Sequence, residues 1–156
     1  MATEIERKFL VDKDKWKSVL KPVGEFYKQG YIFNEKRCTV RVRLTSNAAF
    51  ITLKGPTAGI SRSEYEYQIP MPEANEMLEL FAASSIEKTR YKIEYAGHMW
   101  EVDVFDGENN GLIVAEIELQ HEHEQFEKPD WAGEDVSKDL RYSNGSLSVT
   151  PYAQWR

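Results

Sequence analysis

Apolar and polar positions in this chain alternate with a period of two over most of its length. The alternation runs through EIERKFLV, QGYIFNE, CTVRVRL, FITLK, RSEYEYQI, KTRYKIEY, MWEVDVF and LIVAEIEL, as expected of strands whose successive side chains face opposite ways. About eight strands result, the smallest number that closes an ordinary barrel. SNAA and YAGH are short, small-residue connections that favour antiparallel hairpins, whereas GPTAGIS and DGENNG predict longer loops.

Helical spacing occurs in three places. DKDKWKSVL opens on Asp12, an acceptor suited to cap a helix N-terminus. PEANEMLELFAASS sets Pro72 at a helix start and Met77, Leu80 and Phe81 at helical intervals. From HEQFEKPDW to the C-terminus the pattern weakens and predicts two short helical turns, around GEDVSKD and SLSVTPYAQW. No low-complexity tract, domain-sized repeat or linker interrupts the chain, so residues 1–156 read as one α+β domain.

Composition narrows the function. At 156 residues, 41% hydrophobic and 29% charged, the chain is long and apolar enough for a folded soluble protein. A net charge of −6 and a pI near 5.2 argue against a nucleic-acid binder that works by neutralising phosphates, although a basic pocket can sit inside an acidic shell. Cys38 is the single cysteine, which excludes an intramolecular disulfide and a thiolate metal cluster and fits a reducing cytoplasm. No apolar run approaches the roughly 20 residues of a membrane helix, and the first residues are ionic, unlike a signal segment. His98, His121 and His123 are too scattered for an imidazole metal site, and the HEH stretch at 121–123 reads as an exposed turn.

The charges themselves are patterned. On EIERKFLV, Glu4, Glu6, Lys8 and Leu10 share one face and Ile5, Arg7, Phe9 and Val11 the other. The same parity test groups Arg41 with Arg43, Lys54 with Thr52, Glu64 with Glu66, Lys88 with Arg90, Lys92 and Glu94, Glu101 with Asp103, and Glu116 with Glu118. A solvated sheet face gives this pattern strand by strand. Like charges at i and i+2 are nevertheless unfavourable unless opposite charges lie among them. If the strands close into a barrel, one row must face the lumen, and helices would cover the Tyr, Val and Ile row. Charges in a lumen are expensive unless paired, hydrated or holding a ligand. Such a bipolar lumen suits a polyanion bound with a divalent cation: Arg and Lys hold phosphoryl oxygens and carboxylates hold Mg²⁺ or Mn²⁺. No Gly-rich phosphate loop is present, so side chains would have to grip the phosphates. Lys88, a lysine among cations, is the candidate base for an attacking water. Arg7 lies off the charged face and reads as a surface ion pair, Lys92 and Glu94 as solvated, and Tyr31 as either a lumen residue or barrel packing.

EIERK matches the ExExK signature of the triphosphate tunnel metalloenzymes, the CYTH superfamily, and the chain resembles that family further through KQGY, VRVRL, TLKG, SRSEYEYQI, EKTRY, WEVDVF, AEIEL and RYSNGSLS, in order. The resemblance implies an eight-stranded antiparallel β-barrel, a tunnel with helices packed outside, and hydrolysis of a triphosphate with Mg²⁺ or Mn²⁺. Inorganic tripolyphosphate is the expected substrate. Adenylate cyclase, thiamine or nucleoside triphosphatase, and a non-catalytic polyphosphate-binding module are the alternatives. Carried over by position, Glu4, Glu6, Glu116 and Glu118 resemble metal ligands, and Lys8, Arg41, Arg43, Lys54, Lys88 and Arg90 the phosphate-binding set. Arg141 resembles a further phosphate contact near the tunnel mouth, and Lys88 and Glu118 are the residues expected to act in the chemistry. For Glu64, Glu66, Glu101 and Asp103, orientation of ligands, a second metal site and charge balance stay open. The expected partner is a small polyanion, with no nucleic acid or membrane, and an exposed tyrosine-rich side would suit a homodimer.

Overall fold

The alternating runs become strands close to where the pattern puts them, in a computed structural model that describes residues 2–155. They are β1 (Thr3–Val11), β2 (Glu25–Glu35), β3 (Cys38–Leu44), β4 (Ala49–Lys54), β5 (Ser61–Ile69), β6 (Ser84–Tyr95), β7 (His98–Phe105) and β8 (Ile113–Glu118). All pair antiparallel in the order β5-β4-β3-β2-β6-β7-β8-β1. Pairing of Thr3 with Ser63, Glu4 with Arg62 and Ile5 with Ser61 then joins β1 to β5 and closes the barrel. The β6–β7 hairpin turns on Ala96 and Gly97, at φ 49° and 82°. Two successive positive φ values match the twist of the flanking strands, and glycine accepts the second without strain.

One expectation fails here. GEDVSKD does not form a helical turn; it contributes a ninth strand, β9 (Ala132–Asp135), paired with Phe9 and Val11 of β1. Because β5 occupies only the first residues of β1, the backbone groups beyond them need other partners, and an unpaired strand edge recruits them.

Helices cover part of the outer face. In α1 (Lys13–Lys17) the Asp12 side chain accepts from Lys15 N, as expected of a cap, and Trp16 packs edge-on against Tyr91 and Trp131. α2 (Met71–Phe81) lies over β2, β3 and β4 through Ala74, Met77 and Leu78, which leaves Leu80 and Phe81 exposed instead of buried with Met77. Its approach to β2 is close: a Cβ on Gly30 would meet Leu78 Cδ2 at 2.4 Å, which explains the glycine. Over β1, β7 and β8, a loop carrying Phe126 and Trp131 provides cover, packed edge-on against Phe9 and Trp100. Leu53, Tyr65 and Tyr67 on β4 and β5 have no such cover and are exposed. Among the described residues no helix is long and apolar enough to cross a membrane.

The inward rows change character along the barrel. Leu10, Ile86, Phe105 and Val114, which continue the rows of Lys8, Lys88, Asp103 and Glu116, cluster with Leu112 and with Leu147 of α3 (Asn144–Val149). One end of the lumen is therefore filled with apolar side chains and the other is charged.

Candidate active site

The charged part of the lumen is a cavity of about 840 Å³. Its wall follows from strand register, which sets each inward row beside that of the next strand. Glu6 lies opposite Glu118 and Lys8 opposite Glu116 between β1 and β8. Glu101 faces Glu116 between β7 and β8, and Arg90 faces Asp103 between β6 and β7. Across the barrel, Arg41 is abreast of Thr52, Lys54 of Glu64 and Arg62 of Glu4.

The cations on β6 are held from behind by Asp103, which is 1% exposed. Arg90 donates from Nε and Nη2 to its two oxygens at 2.7 and 2.9 Å, and Lys88 Nζ donates to Oδ2 at 2.6 Å. Burial disfavours the Asp103 charge, but Arg90 and Lys88 outweigh it and hold this carboxyl well below the usual range. Arg90 also reaches Glu116 at 3.1 Å and Glu101 at 3.3 Å. Lys88 is fully buried, and burial pulls its ammonium down to about 7 against the attraction of Asp103, with Arg90 adding to the depression. Its second acceptor is Asn144 Oδ1, at 3.1 Å.

β3 contributes two arginines of different standing. Arg43 gives Nε to Gln29 at 3.0 Å and lies 4.9 Å over the Tyr27 ring, and burial, with Arg41 and Arg90 nearby, lowers its guanidinium to about 10. Arg41 gives Nη2 to Thr52 and Glu66, and its Nε is buried with no hydrogen-bond partner among the described residues. An orphan guanidinium donor in a cavity wall is a costly feature unless an anion completes it.

The acids divide into matched and crowded groups. Lys54 Nζ sits 3.2 Å from Glu4 and 3.3 Å from Glu64. Against the effect of burial, Lys54 brings Glu4 down to about 2. Glu116 is likewise lowered against burial, by Lys8 and Arg90. Glu6 is pushed up to about 8 by burial and by the neighbouring Glu116 and Glu4. Burial and adjacent carboxylates also raise Glu64 and Glu118. Mutual repulsion of this kind is what a hard divalent cation relieves, through oxygen ligands alone. Glu4, Glu6 and Glu118 therefore fit such an ion chemically. Among the described residues, though, no three acids or imidazoles are gathered at ligating geometry, because Lys54 draws Glu4 aside and Arg90 draws Glu116.

The structure thus brings Glu4, Glu6, Lys8, Arg41, Arg43, Lys54, Lys88, Arg90, Glu116 and Glu118 to one cavity. Arg141 is not among the lining residues. It is exposed, paired with Asp139 at 2.7 Å and laid over the Trp155 ring. A carboxylate two residues before it holds its guanidinium, while its neighbours Leu140 and Ser143 line the cavity. Glu64, Glu66 and Glu101 line the cavity, whereas Asp103 sits behind the cations. Tyr31 lines it too, and Arg7 pairs with Asp135 outside. Lys92, Glu94, His121 and His123 are exposed. Four participants escaped the sequence reading: Tyr27 and Gln29, neutral residues of the inward row on β2, Asn144 on a helix, and Arg62. The last shares the parity of Glu64 and Glu66, a signal that could have found it.

Comparison with known proteins identifies the family. The CYTH domain model matches residues 2–152, and the chain belongs to that family. It is 50% identical to an inorganic triphosphatase of Acetivibrio thermocellus, over 100% of this chain and 99% of that one. An inorganic triphosphatase of Nitrosomonas europaea is 35% identical, over 95% of this chain and 98% of its own. A crystal structure of an inorganic triphosphatase superposes with a TM-score of 0.64 at 32% identity, covering 96% of each chain.

Proposed function

We propose that the protein is a divalent-metal-dependent hydrolase that cleaves inorganic tripolyphosphate to pyrophosphate and phosphate in the cytoplasm. The observation that carries this is the bipolar cavity, with Arg41, Arg43, Lys88 and Arg90 on strands facing the crowded acids Glu6, Glu64 and Glu118. Two full-length relatives named inorganic triphosphatase support the choice of substrate.

Arg41 and Arg43 bring guanidinium forks that suit phosphoryl oxygens, and Lys8 adds a point charge from β1 in the same cavity wall. Arg90, fixed by Asp103 and Glu116, presents a rigid positive surface that needs no reorganisation when charge develops on the transferred phosphoryl group. Lys88, near 7, is poised to take a proton from water at Nζ around neutral pH. Glu4, Glu6 and Glu118, with Glu116 beside them, would hold Mg²⁺ or Mn²⁺, which supplies charge neutralisation on the phosphate chain when bound.

The test is to incubate the purified protein with Mg²⁺ or Mn²⁺ and tripolyphosphate, ATP or thiamine triphosphate, and to identify products. Equal amounts of pyrophosphate and phosphate from tripolyphosphate, formed faster than products from the other two, are expected. Cyclic AMP with pyrophosphate from ATP would replace the proposal with a cyclase, and tight binding without products would replace it with a polyphosphate-binding module.

A further inference from the structure

The Lys88 ammonium has one acceptor inside the barrel wall and one that comes from outside it. Asp103 on β7 supplies the first; Asn144, the first residue of α3, supplies the second. The helix carrying Asn144 is fixed on several sides. Ser143 caps it by accepting from Ser146 N at 3.2 Å. Gly145 O accepts from Asn34 Nδ2 at 3.1 Å, and the Ser84 and Ser148 hydroxyls lie 2.8 Å apart. One turn further on, Leu147 is fully buried against Ile86, Phe105 and Val114. Asn144 is therefore delivered to Lys88 by a segment anchored through Ser143, Gly145, Leu147 and Ser148.

An amine has two N–H donors and one lone pair, and an ammonium has three donors. With one donor on Asp103 and one on Asn144, a single direction is left at Nζ, and Lys88, although without solvent exposure, is one of the residues in the cavity wall. Without the second acceptor, rotation about Cε–Nζ would spread that direction over a wide arc. We propose that Asn144 is a positioning residue for Lys88, aiming the free direction of Nζ at the cavity. The proposal deepens the triphosphatase reading and rests on it for its catalytic consequence: a water O–H bond breaks, the proton joins the lone pair at Nζ, the electron pair stays on the oxygen that attacks the terminal phosphorus, and the bridging P–O bond breaks with its electron pair leaving on pyrophosphate.

Other charged groups around Nζ are Asp103 on β7, Arg90 on the same strand, Glu116 on β8 and Arg43 on β3. None of these is altered by a change at Asn144, so Asn144→Ala and Asn144→Asp report on one contact. Both are tested by the pH profile of kcat on tripolyphosphate with Mg²⁺, and by the titration of Lys88 Nζ followed by ¹⁵N NMR without metal or substrate, the signal being assigned with Lys88→Arg. Loss of the acceptor in Asn144→Ala removes a hydrogen bond to the charged form, so the Lys88 midpoint moves down; the carboxylate of Asn144→Asp moves it up. For Asn144→Ala, kcat is expected to fall about tenfold or more with KM within about twofold, as misaiming a reacting group does. Opposite displacements could not come from a loosened α3. Equal NMR midpoints in all three proteins, or an unchanged kcat in Asn144→Ala, would overturn the proposal. A wild type inert on tripolyphosphate would instead overturn the triphosphatase reading, and displaced NMR midpoints would then still support the contact.

Discussion

Asp103 touches no part of the cavity, yet two of the cavity's cations depend on it. Asp103→Asn keeps the shape and removes the charge that Lys88 and Arg90 share, leaving buried cations undercompensated; breaking such an arrangement costs about 3–5 kcal/mol. At about 2–4 °C per kcal/mol for a domain of this size, calorimetry should record a Tm lower by about 6–20 °C. Activity should fall as well, because both cations lose their anchor. Glu6 gives a second prediction, read from pH. Its folded value is raised to about 8 from 4.5, so the native state keeps a proton that the unfolded chain releases. The stability this adds is complete below pH 4.5 and is lost as pH rises through 8. Lys88 works in a later window: lowered to about 7 from 10.5, it opposes folding below 7, and that penalty is relieved between 7 and 10.5. With divalent ions chelated, Glu6→Gln should match the wild type in Tm near pH 5 and exceed it at pH 8. A difference independent of pH would refute the crowding of Glu6 with Glu4 and Glu116.

Among the elements, the β6–β7 hairpin offers a prediction free of any functional reading. Ala96 holds φ at 49°, where a Cβ is strained, and Gly97 follows it. Ala96→Asn creates the Asn-Gly pair such turns favour and should stabilise by about 0.5–1 kcal/mol, seen as a higher urea midpoint at unchanged slope. The hairpin was legible because its strands alternate strictly and its turn is short. The same logic made the barrel and its ionic lining legible: parity and sign are local properties, and Lys8, Arg41, Arg43, Lys88 and Arg90 carry both. Closure creates the contacts that were not legible. β9 has only four residues and pairs with a stretch of β1 left free because the pairing of β1 with β5 stops at Ile5. The buried face of α2 depends on where Gly30 lets the helix approach, so Leu80 and Phe81 fall past the sheet. Tyr27, Gln29 and Asn144 are neutral, and nothing in their own residue type marks them as neighbours of a cation.

For the whole molecule, the decisive feature is that one lumen contains an excess of negative charge at β1 and β8 and a surfeit of positive charge at β3 and β6. Cations compensate Glu4, Glu116 and Asp103 within the fold; Glu6, Glu64 and Glu118 are left with raised values, which is a standing demand for positive charge. A proton meets that demand at low pH and a divalent ion would meet it at higher pH, so the two compete. Magnesium or manganese added without substrate should therefore raise Tm, by about 5–10 °C at a hundredfold excess over Kd, given about 2.7 kcal/mol of linkage. The rise should be large at pH 8 and small at pH 5, and sodium chloride of equal ionic strength should not reproduce it, since screening acts weakly on buried charges. Combining Glu6→Gln with Glu118→Gln should abolish it. An equal rise at both pH values, or one that survives in the double variant, would place the cation outside the lumen and leave the crowded acids without the role assigned to them.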